Sequence, residues 1–494
     1  MQSDKTFLAD TKPLVVVIGC DTFPPDINGA ARFAERLAGG LARNGQQVHV
    51  IAPSTNKRYG SYREIHDGVA IVVHRLKSYR LPQHQSLRFA SPIKLRRSIR
   101  NLLQKIQPDA VHIQSHLMVG RYLSKESLKQ GIRLVATNHL MPENLIRYSV
   151  LVPRFLEPLA KSISWRDTYQ ILKRAEVVTT PTKKAAEILV SHTPLRDILA
   201  ISCGINASQF ASAAEVSLAT RRALYVGRLD YEKHVHVLIE AFSQLPSNLD
   251  VSLEIVGDGS ERQSLETWAG ELGIADKVIF RGQITDAELP KAYDRATVFV
   301  MPSIAELQSI ATLEAMASGR PIIAANAAAL PHLVHDGENG YLFQPESSED
   351  LAAKLELVFT ASDSRLKALG QASLHLIQSH DIAQTVSRFE QIYRGHASEV
   401  TPTEDNLGTY TQAINLTPQR VSALEAMREA GRKILASAER RSSGVLERLD
   451  ESTGDVTERF AEIGFDVLQR SKRATRSIDR SIRKALNRFR RRDQ

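Results

Sequence analysis

Short apolar, β-branched runs recur along the chain: LVVVIG at 14–19, VHVIA at 48–52, VAIVVH at 69–74, AVHIQ at 110–114, RLVAT at 133–137 and EVVTT at 176–180. They are continuously apolar rather than alternating, as expected of strands covered on both faces. Helix-length amphipathic segments lie between several of them, such as GAARFAERLAGGLARNG, which ends at Gly45. That is a doubly wound βα pattern. It then restarts with ALYVG at 223–227, VSLEIVG at 251–257, KVIF at 277–280, TVFVM at 297–301 and PIIAA at 321–325. The stretch INASQFASAAEVSLATRR between the two series is rich in Ala and Ser and reads as a linker. The pattern predicts an α/β chain of two tandem Rossmann-like domains facing a central cleft.

At 494 residues the chain is too long for one core. No apolar run reaches the length of a transmembrane helix. MQSDKTFLADTK has no basic segment followed by an apolar one, so no secretory leader is expected and the chain is placed in the cytoplasm. Two cysteines, Cys20 and Cys203, give neither metal spacing nor a disulfide framework. The net charge of +9 is concentrated at the end: from Arg470 onward there are eleven Lys/Arg against two Asp, leaving residues 1–469 formally neutral.

Two carboxylates stand out in MPSIAELQSIATLEAMASGRP. Glu306 lies in a strand-to-helix loop, and Glu314 lies in the first turns of the following helix if that helix starts near Ser309, at about 1.5 Å per residue. Both then line a crevice at the carboxyl end of a strand, where open α/β sheets bind ligands. Acceptor-only groups there suit a hydroxyl-rich ligand such as a ribose or a hexose. A plainer alternative stays open: Ser303-Ile304-Ala305-Glu306 also fits a capping box, and Glu314 a solvated helix position.

YVGRLDYEKH follows the first strand of the second series and supplies Arg228 and Lys233, two cations near a helix N-terminus that suit a diphosphate. In the first series, FPPDINGAARFAERL gives a Pro-rich turn and then Asn28-Gly29 opening a helix, where a small residue lets a phosphate approach the amides. It is neither a dinucleotide-binding G-x-G-x-x-G fingerprint nor a Walker loop. VATNHLMPENL places His139 just past a strand end, a candidate for hydrogen-bonding a reacting group, with His116 after AVHIQ as a second. No D-x-D pair stands at a strand end.

With these residues in place, the chain from about Leu14 to Arg394 resembles the retaining glycosyltransferases of family 4, which have the GT-B fold. The resemblance rests on FPPDINGAARFAERLA, on GRLDYEKH, and on PSIAELQSIATLEAMASGRPIIAA with the later GENGYLF. It implies an acceptor-side domain at 1–207, a nucleotide-sugar donor domain at 221–376 and a segment at 377–396 returning to the first domain. It also implies roles. Glu314 would bind the donor ribose, Glu306 the transferred sugar, and Arg228 and Lys233 the departing diphosphate. Gly29 would admit that diphosphate to the first helix, and His139 would contact the sugar near its anomeric carbon. No cofactor and no metal would be required. Two positions depart from the family pattern: Leu307-Gln308-Ser309 replaces a Phe-Gly or similar pair, and Asn28 replaces a glycine. The amides of Ser309 and Ile310 remain candidates to face the diphosphate.

Two basic segments point to the acceptor. In SPIKLRRSIRNLLQKIQ at 91–107, Leu95, Ile99, Leu102 and Ile106 share a helical spacing, with Lys94, Arg96, Arg97, Arg100 and Lys105 supplying charge. The tail at 470–494 repeats the theme, with Ile478, Ile482, Leu486 and Phe489 amid Arg476, Arg480, Arg483, Lys484 and Arg488. Basic amphipathic helices are drawn to anionic lipid; an ordinary surface helix is the alternative for 91–107. Missing aromatic stacking residues and groove-reading motifs argue against nucleic acid. The segment HASEVTPTEDNLGTYTQ, opening the extension at 397–494, looks disordered.

The pattern is most similar in appearance to actinobacterial GDP-mannose-dependent lipid mannosyltransferases. That implies transfer of mannose by front-face attack to a phosphatidylinositol or diacylglycerol glycolipid, on the inner face of the plasma membrane. A UDP-sugar-dependent transferase is the alternative. A sugar-nucleotide epimerase and a non-catalytic membrane adaptor are the readings from other classes.

Overall fold

A computed structural model describes residues 12–80, 88–142, 157–211 and 221–403. Two compact units divide the chain, Met1–Tyr410 and Thr411–Gln494. The second unit, and with it the basic tail at 470–494, lies outside the described residues.

The strands are β1 (Val15–Gly19), β2 (Gln47–Pro53), β3 (Gly60–His66), β4 (Val69–Leu76), the short pair β5 (Tyr79–Arg80) and β6 (Arg88–Phe89), β7 (Ala110–Ile113), β8 (Arg133–Thr137), β9 (Val177–Thr180) and β10 (Leu199–Ala200). After them come β11 (Arg221–Val226), β12 (Val251–Val256), β13 (Val278–Gly282), β14 (Val298–Met301), β15 (Ile322–Ala325) and β16 (Gly340–Phe343). The helices begin with α1 (Gly29–Arg43), α2 (Pro92–Ile106), α3 (Met118–Gln130), α4 (Glu157–Leu172), α5 (Lys183–His192) and α6 (Val235–Ser243). They continue with α7 (Arg262–Glu271), α8 (Leu289–Arg295), α9 (Ile310–Ala317), α10 (Ser348–Phe359), α11 (Asp363–Leu376) and α12 (Ile382–Arg394). Among the described residues no helix is long and apolar enough to cross a membrane.

The strands form two large sheets. The first runs β10-β9-β8-β7-β1-β2-β4-β3 and the second β13-β12-β11-β14-β15-β16. Every pairing in them is parallel except β3 with β4. The strands β7, β14 and β15 are buried along their whole length, which is why β14 and β15 read as unbroken apolar runs and β7 as one interrupted only by His112. In each sheet the strand order reverses once, between β1 and β7 and between β11 and β14. Ligands of open α/β sheets bind at such points, outside the carboxyl ends of the strands. The loops emerging there carry Asp21, Gly29, Gln114, Arg228, Lys233 and Glu306.

After the second sheet the chain returns to the first. Asp381 caps α12 by accepting from the amides of Ala383 and Gln384, and Gly395 ends the helix in the left-handed region. Val386, Phe389, Ile392 and Tyr393 of α12 pack with Phe33, Leu37 and the strands of the first sheet. Phe389 and Ile392 are fully buried, and each such side chain stabilises the closure by about 1.5–3 kcal/mol.

One close approach forms the floor of the cleft. Gly257, just after β12, has φ +136, and a Cβ there would lie 1.8 Å from the carbonyl oxygen of Gly227, just after β11. The carbonyl is backbone and the position of a Cβ is fixed by its own backbone, so no rotamer relieves the clash. Gly257→Ala is expected to cost at least about 1–3 kcal/mol from backbone strain alone. A lowered melting temperature is the expected result; an unchanged melting temperature would contradict this placement.

Candidate active site

Two helix N-termini meet across the cleft. Asn28 caps α1, its Oδ1 accepting from the amide of Ala31 at 2.9 Å, and Ser309 caps α9, its Oγ accepting from the amide of Thr312 at 3.2 Å. In both cases the cap engages the third amide of the helix, leaving those of Gly29, Ala30, Ile310 and Ala311 with no partner inside their helices. The helix dipoles add positive potential at the same place. A Cβ on Gly29 would lie 3.6 Å from Ile310 Cγ1, so the two helix ends are in near contact. Asn28 has φ -159 and Ser309 φ -90, conformations open to any residue. Both departures from the family pattern therefore exchange a flexible glycine for a capping side chain, a change worth roughly a few tenths of a kcal/mol of helix stability.

Ser309, not Ser303, is the cap, so the capping-box alternative is not realised. Ser303 Oγ instead donates to the carbonyl of Glu232 at 3.3 Å. The other departing residues have partners as well. The Leu307 carbonyl accepts from Thr182 Oγ1 at 2.8 Å, and Gln308 Oε1 accepts from the amide of Cys203 at 2.7 Å. These bonds tie the Glu306 loop to the first sheet's side of the cleft.

The cations sit opposite the helix ends. Lys233 Nζ donates to Glu306 Oε1 at 2.5 Å, with both side chains mostly buried. Arg228 is held by Asp230 and by Glu232 Oε1, the latter at 2.9 Å. Pairing fixes both cations in place before any ligand arrives. Glu314, the fifth residue of α9, is buried and bonded on both oxygens: Oε1 accepts from Arg36 Nη2 at 2.8 Å and Oε2 from Tyr293 Oη at 3.0 Å. Burial and the neighbouring Glu314 charge push the Tyr293 phenol well above its ordinary value, so it stays a donor.

His139 Nε2 lies 2.9 Å from Gln114 Oε1, and its ring packs on Phe33 at 5.0 Å. Burial pushes it down to about 3, so it is a neutral hydrogen-bonding group. Beneath it, His112 bonds Tyr393 Oη at 2.7 Å and Thr137 Oγ1 at 2.6 Å, linking α12 to the floor of the site. Asp21, just past β1, accepts from Ser115 and from the amide of Val119 at 2.8 Å, capping α3. His116 is buried in the loop after β7 and lines neither of the cavities described next.

Two adjoining cavities fill the cleft, of about 220 Å³ and about 480 Å³. Both are lined by Gly29, Arg228, Lys233, Glu306 and Ile310. His139, Gln114 and Asp21 belong to the smaller; Ser309 and Glu314 belong to the larger. Gly29, His139, Arg228, Lys233, Glu306, Ser309, Ile310 and Glu314 thus lie on one cleft, whereas His116, the second histidine singled out from sequence, does not. The larger volume falls in the range of small-molecule sites. Sequence reasoning missed Asp21, Gln114, Arg36 and Tyr293; Asp21 and Gln114, each at a strand end, carried a local signal, and Arg36 and Tyr293 did not.

The segment 91–107 corrects the membrane expectation. Leu95, Ile99 and Leu103 of α2 are buried in the core, with Leu102 and Ile106 packed against it. Arg96 and Arg100 both bind the buried Glu126 of α3, at 2.9 and 3.1 Å. The stripe of Leu95, Ile99 and Leu103 is packed on the protein's own core, as the surface-helix alternative expects.

At the rim, Arg32 binds Asp286 across the cleft and Glu35 Oε2 at 3.4 Å, and Glu35 Oε1 lies 3.0 Å from His66 Nδ1. His66 Nε2 lies 2.9 Å from Glu64. Burial alone would lower the His66 pKa, but the two carboxylates outweigh it and raise the pKa above the ordinary value. The charged form is therefore favoured by folding, and its contribution is fully present below the unfolded pKa and lost as pH rises through the raised folded one. Thermal unfolding across that window should show this loss in wild type and a flatter profile in His66→Gln; equal slopes would contradict the assignment.

Residues 27–209 match the family described as Glycosyltransferase Family 4, and residues 213–373 that described as Glycosyl transferases group 1. Over 346 residues the chain is 31% identical to a GDP-mannose-dependent alpha-mannosyltransferase of Mycolicibacterium smegmatis, covering 68% of this chain and 85% of that one. It is 25% identical over 396 residues to an alpha-monoglucosyldiacylglycerol synthase of Acholeplasma laidlawii, covering 77% and 92%. The structure resembles that of a sucrose-phosphate synthase from Thermosynechococcus elongatus with a TM-score of 0.67 at 21% identity, over 79% of this chain and all of that one. The two parallel sheets flanking one cleft are the GT-B fold.

Proposed function

The chain belongs to the family 4 glycosyltransferases, and on that premise we propose that it moves mannose from GDP-mannose to a lipid or glycolipid acceptor, with retention of configuration. The observation that carries this reading is the meeting of Lys233, Arg228 and two helix N-termini at one point of the cleft. Positive groups concentrated there match a diphosphate whose negative charge grows as the glycosidic bond breaks, and stabilisation of that growing charge accelerates the step. In this reading the protein's own cations and amides carry the diphosphate, and no metal is required.

Glu306 holds hydroxyls of the sugar, Glu314 those of the ribose, and His139 contacts the sugar from the first-sheet side. The bond from the anomeric carbon to the phosphate oxygen breaks, and a bond to the acceptor hydroxyl forms on the same face. The acceptor's proton passes to the departing phosphate oxygen. Glu306 is paired with Lys233, and Asp21 is committed to the α3 amides. Those engagements favour front-face attack over a carboxylate nucleophile.

The mannosyltransferase relative supports the donor. The glucosyldiacylglycerol synthase relative supports a lipid acceptor and keeps a glucosyl donor as the second reading. An anionic membrane surface on the cytoplasmic side is the expected place of reaction, reached through the positive charge of residues 470–494. The test is a panel of radiolabelled GDP- and UDP-sugars incubated with bacterial membranes and followed by lipid extraction. Mannose label in the organic phase is the expected result. Label from a UDP-sugar instead would replace the donor, and label confined to water-soluble products would remove the lipid acceptor.

A further inference from the structure

Glu314, the carboxylate read above as the ribose holder, is not oriented by its own domain alone. Its Oε1 is bonded at 2.8 Å to Arg36, a residue of α1 on the opposite side of the cleft. The two side chains are 12% and 7% exposed, so this is a buried ion pair between the halves of the molecule. One turn earlier on α1, Arg32 makes the parallel bridge to Asp286. Glu314, Asp286 and Arg32 all line the larger cavity.

A buried ion pair is poor value as a source of stability, because desolvating both charges offsets most of their attraction. This one is also incomplete. Arg36 Nη1 is buried and has no hydrogen-bond partner among the described residues, whereas both oxygens of Glu314 are engaged. Each carboxylate oxygen has a second lone pair, so Glu314 can still accept from a ligand hydroxyl while Arg36 and Tyr293 hold it. Arg36 Nη2 engages one carboxylate oxygen and the Tyr293 hydroxyl the other, so the carboxylate is held at both ends.

We propose that Arg36 is a positioning residue for nucleotide recognition: it reaches across the cleft to set Glu314, so that recognition of the ribose hydroxyls depends on α1 of the other domain. This rests on the reading of Glu314 as the ribose holder. The consequence is specific. Without Arg36 the protein should still bind a nucleoside diphosphate through Lys233, Arg228 and the helix ends, but it should no longer distinguish ribose from deoxyribose.

The experiment measures calorimetric affinities of the full-length wild type, Arg36→Ala and Arg36→Gln for GDP, 2′-deoxy-GDP and 3′-deoxy-GDP, with the UDP series alongside. Wild type is expected to prefer at least one ribo form over its deoxy analogue by about tenfold. In both variants that ratio is expected to fall toward one, with donor KM raised more than kcat is lowered. Arg36→Gln keeps most of the side-chain volume, so the ratio is measurable even if Arg36→Ala does not fold. A wild-type ratio in either variant overturns the proposal and leaves Arg36 a structural ion pair. Equal binding of ribo and deoxy forms by wild type itself would instead overturn the role of Glu314.

Discussion

Lys233→Ala is expected to lower kcat at saturating donor by about two to three orders of magnitude, the scale seen when one preorganised donor to a developing charge is removed. Lys233 ends a single 3-10 turn, Tyr231–Lys233, and its ammonium is mostly buried against Glu306. The charge is already in place before the donor arrives, so little reorganisation accompanies bond cleavage. Its removal leaves Arg228, which is shared with Asp230 and Glu232, as the side-chain cation of the pair. The effect should fall on kcat more than on KM, because the interaction strengthens as the phosphate departs. Steady-state kinetics with a circular-dichroism control checks this, and wild-type turnover in a folded variant would contradict it.

Glu306→Gln carries the second large effect, a fall of roughly tenfold to a hundredfold in kcat, the scale of one hydrogen bond to a charged group. Glutamine keeps the shape and loses both the negative charge paired with Lys233 and the strong acceptor for sugar hydroxyls. Since Lys233 and Glu306 share one hydrogen bond, the double variant should lose less than the product of the two single losses. A multiplicative loss would mean that they act independently. Glu314→Gln should behave differently, raising donor KM more than it lowers kcat, because Glu314 lines only the larger cavity, where the proposed reading has it hold the ribose rather than the departing group.

The strands around the cleft were legible because the physics leaves one solution: a parallel strand covered on both faces is largely apolar, as β14 and β15 are throughout and β7 is apart from the hydrogen-bonded His112. β3 escaped notice because it is an antiparallel edge strand, exposed along most of GSYREIH. Its sequence has no core to answer to. The site residues were legible where chemistry sits at a strand end, as with His139, Arg228, Lys233 and Glu306. Arg36 and Tyr293 carry no such mark. Arg36 is 278 positions from Glu314, and only the packing of α1 against α9 brings them together.

The helix α2 shows the opposite failure. Its charge and apolar spacing are the same whether the apolar face meets lipid or the protein's own core, and only the burial of Leu95, Ile99 and Leu103 separates the two. At Asn28 and Ser309, by contrast, the departures from the family pattern were visible, and their reason was a local one. Both are good capping residues in backbone conformations that need no glycine.

The most direct measurement of the central claim is a crystal structure of the protein with bound GDP. The account predicts the diphosphate within hydrogen-bond reach of Lys233, Arg228 and the amides of Gly29 and Ile310, with the ribose hydroxyls on Glu314. A nucleotide bound outside the cleft, or one whose ribose turns away from Glu314, would contradict it.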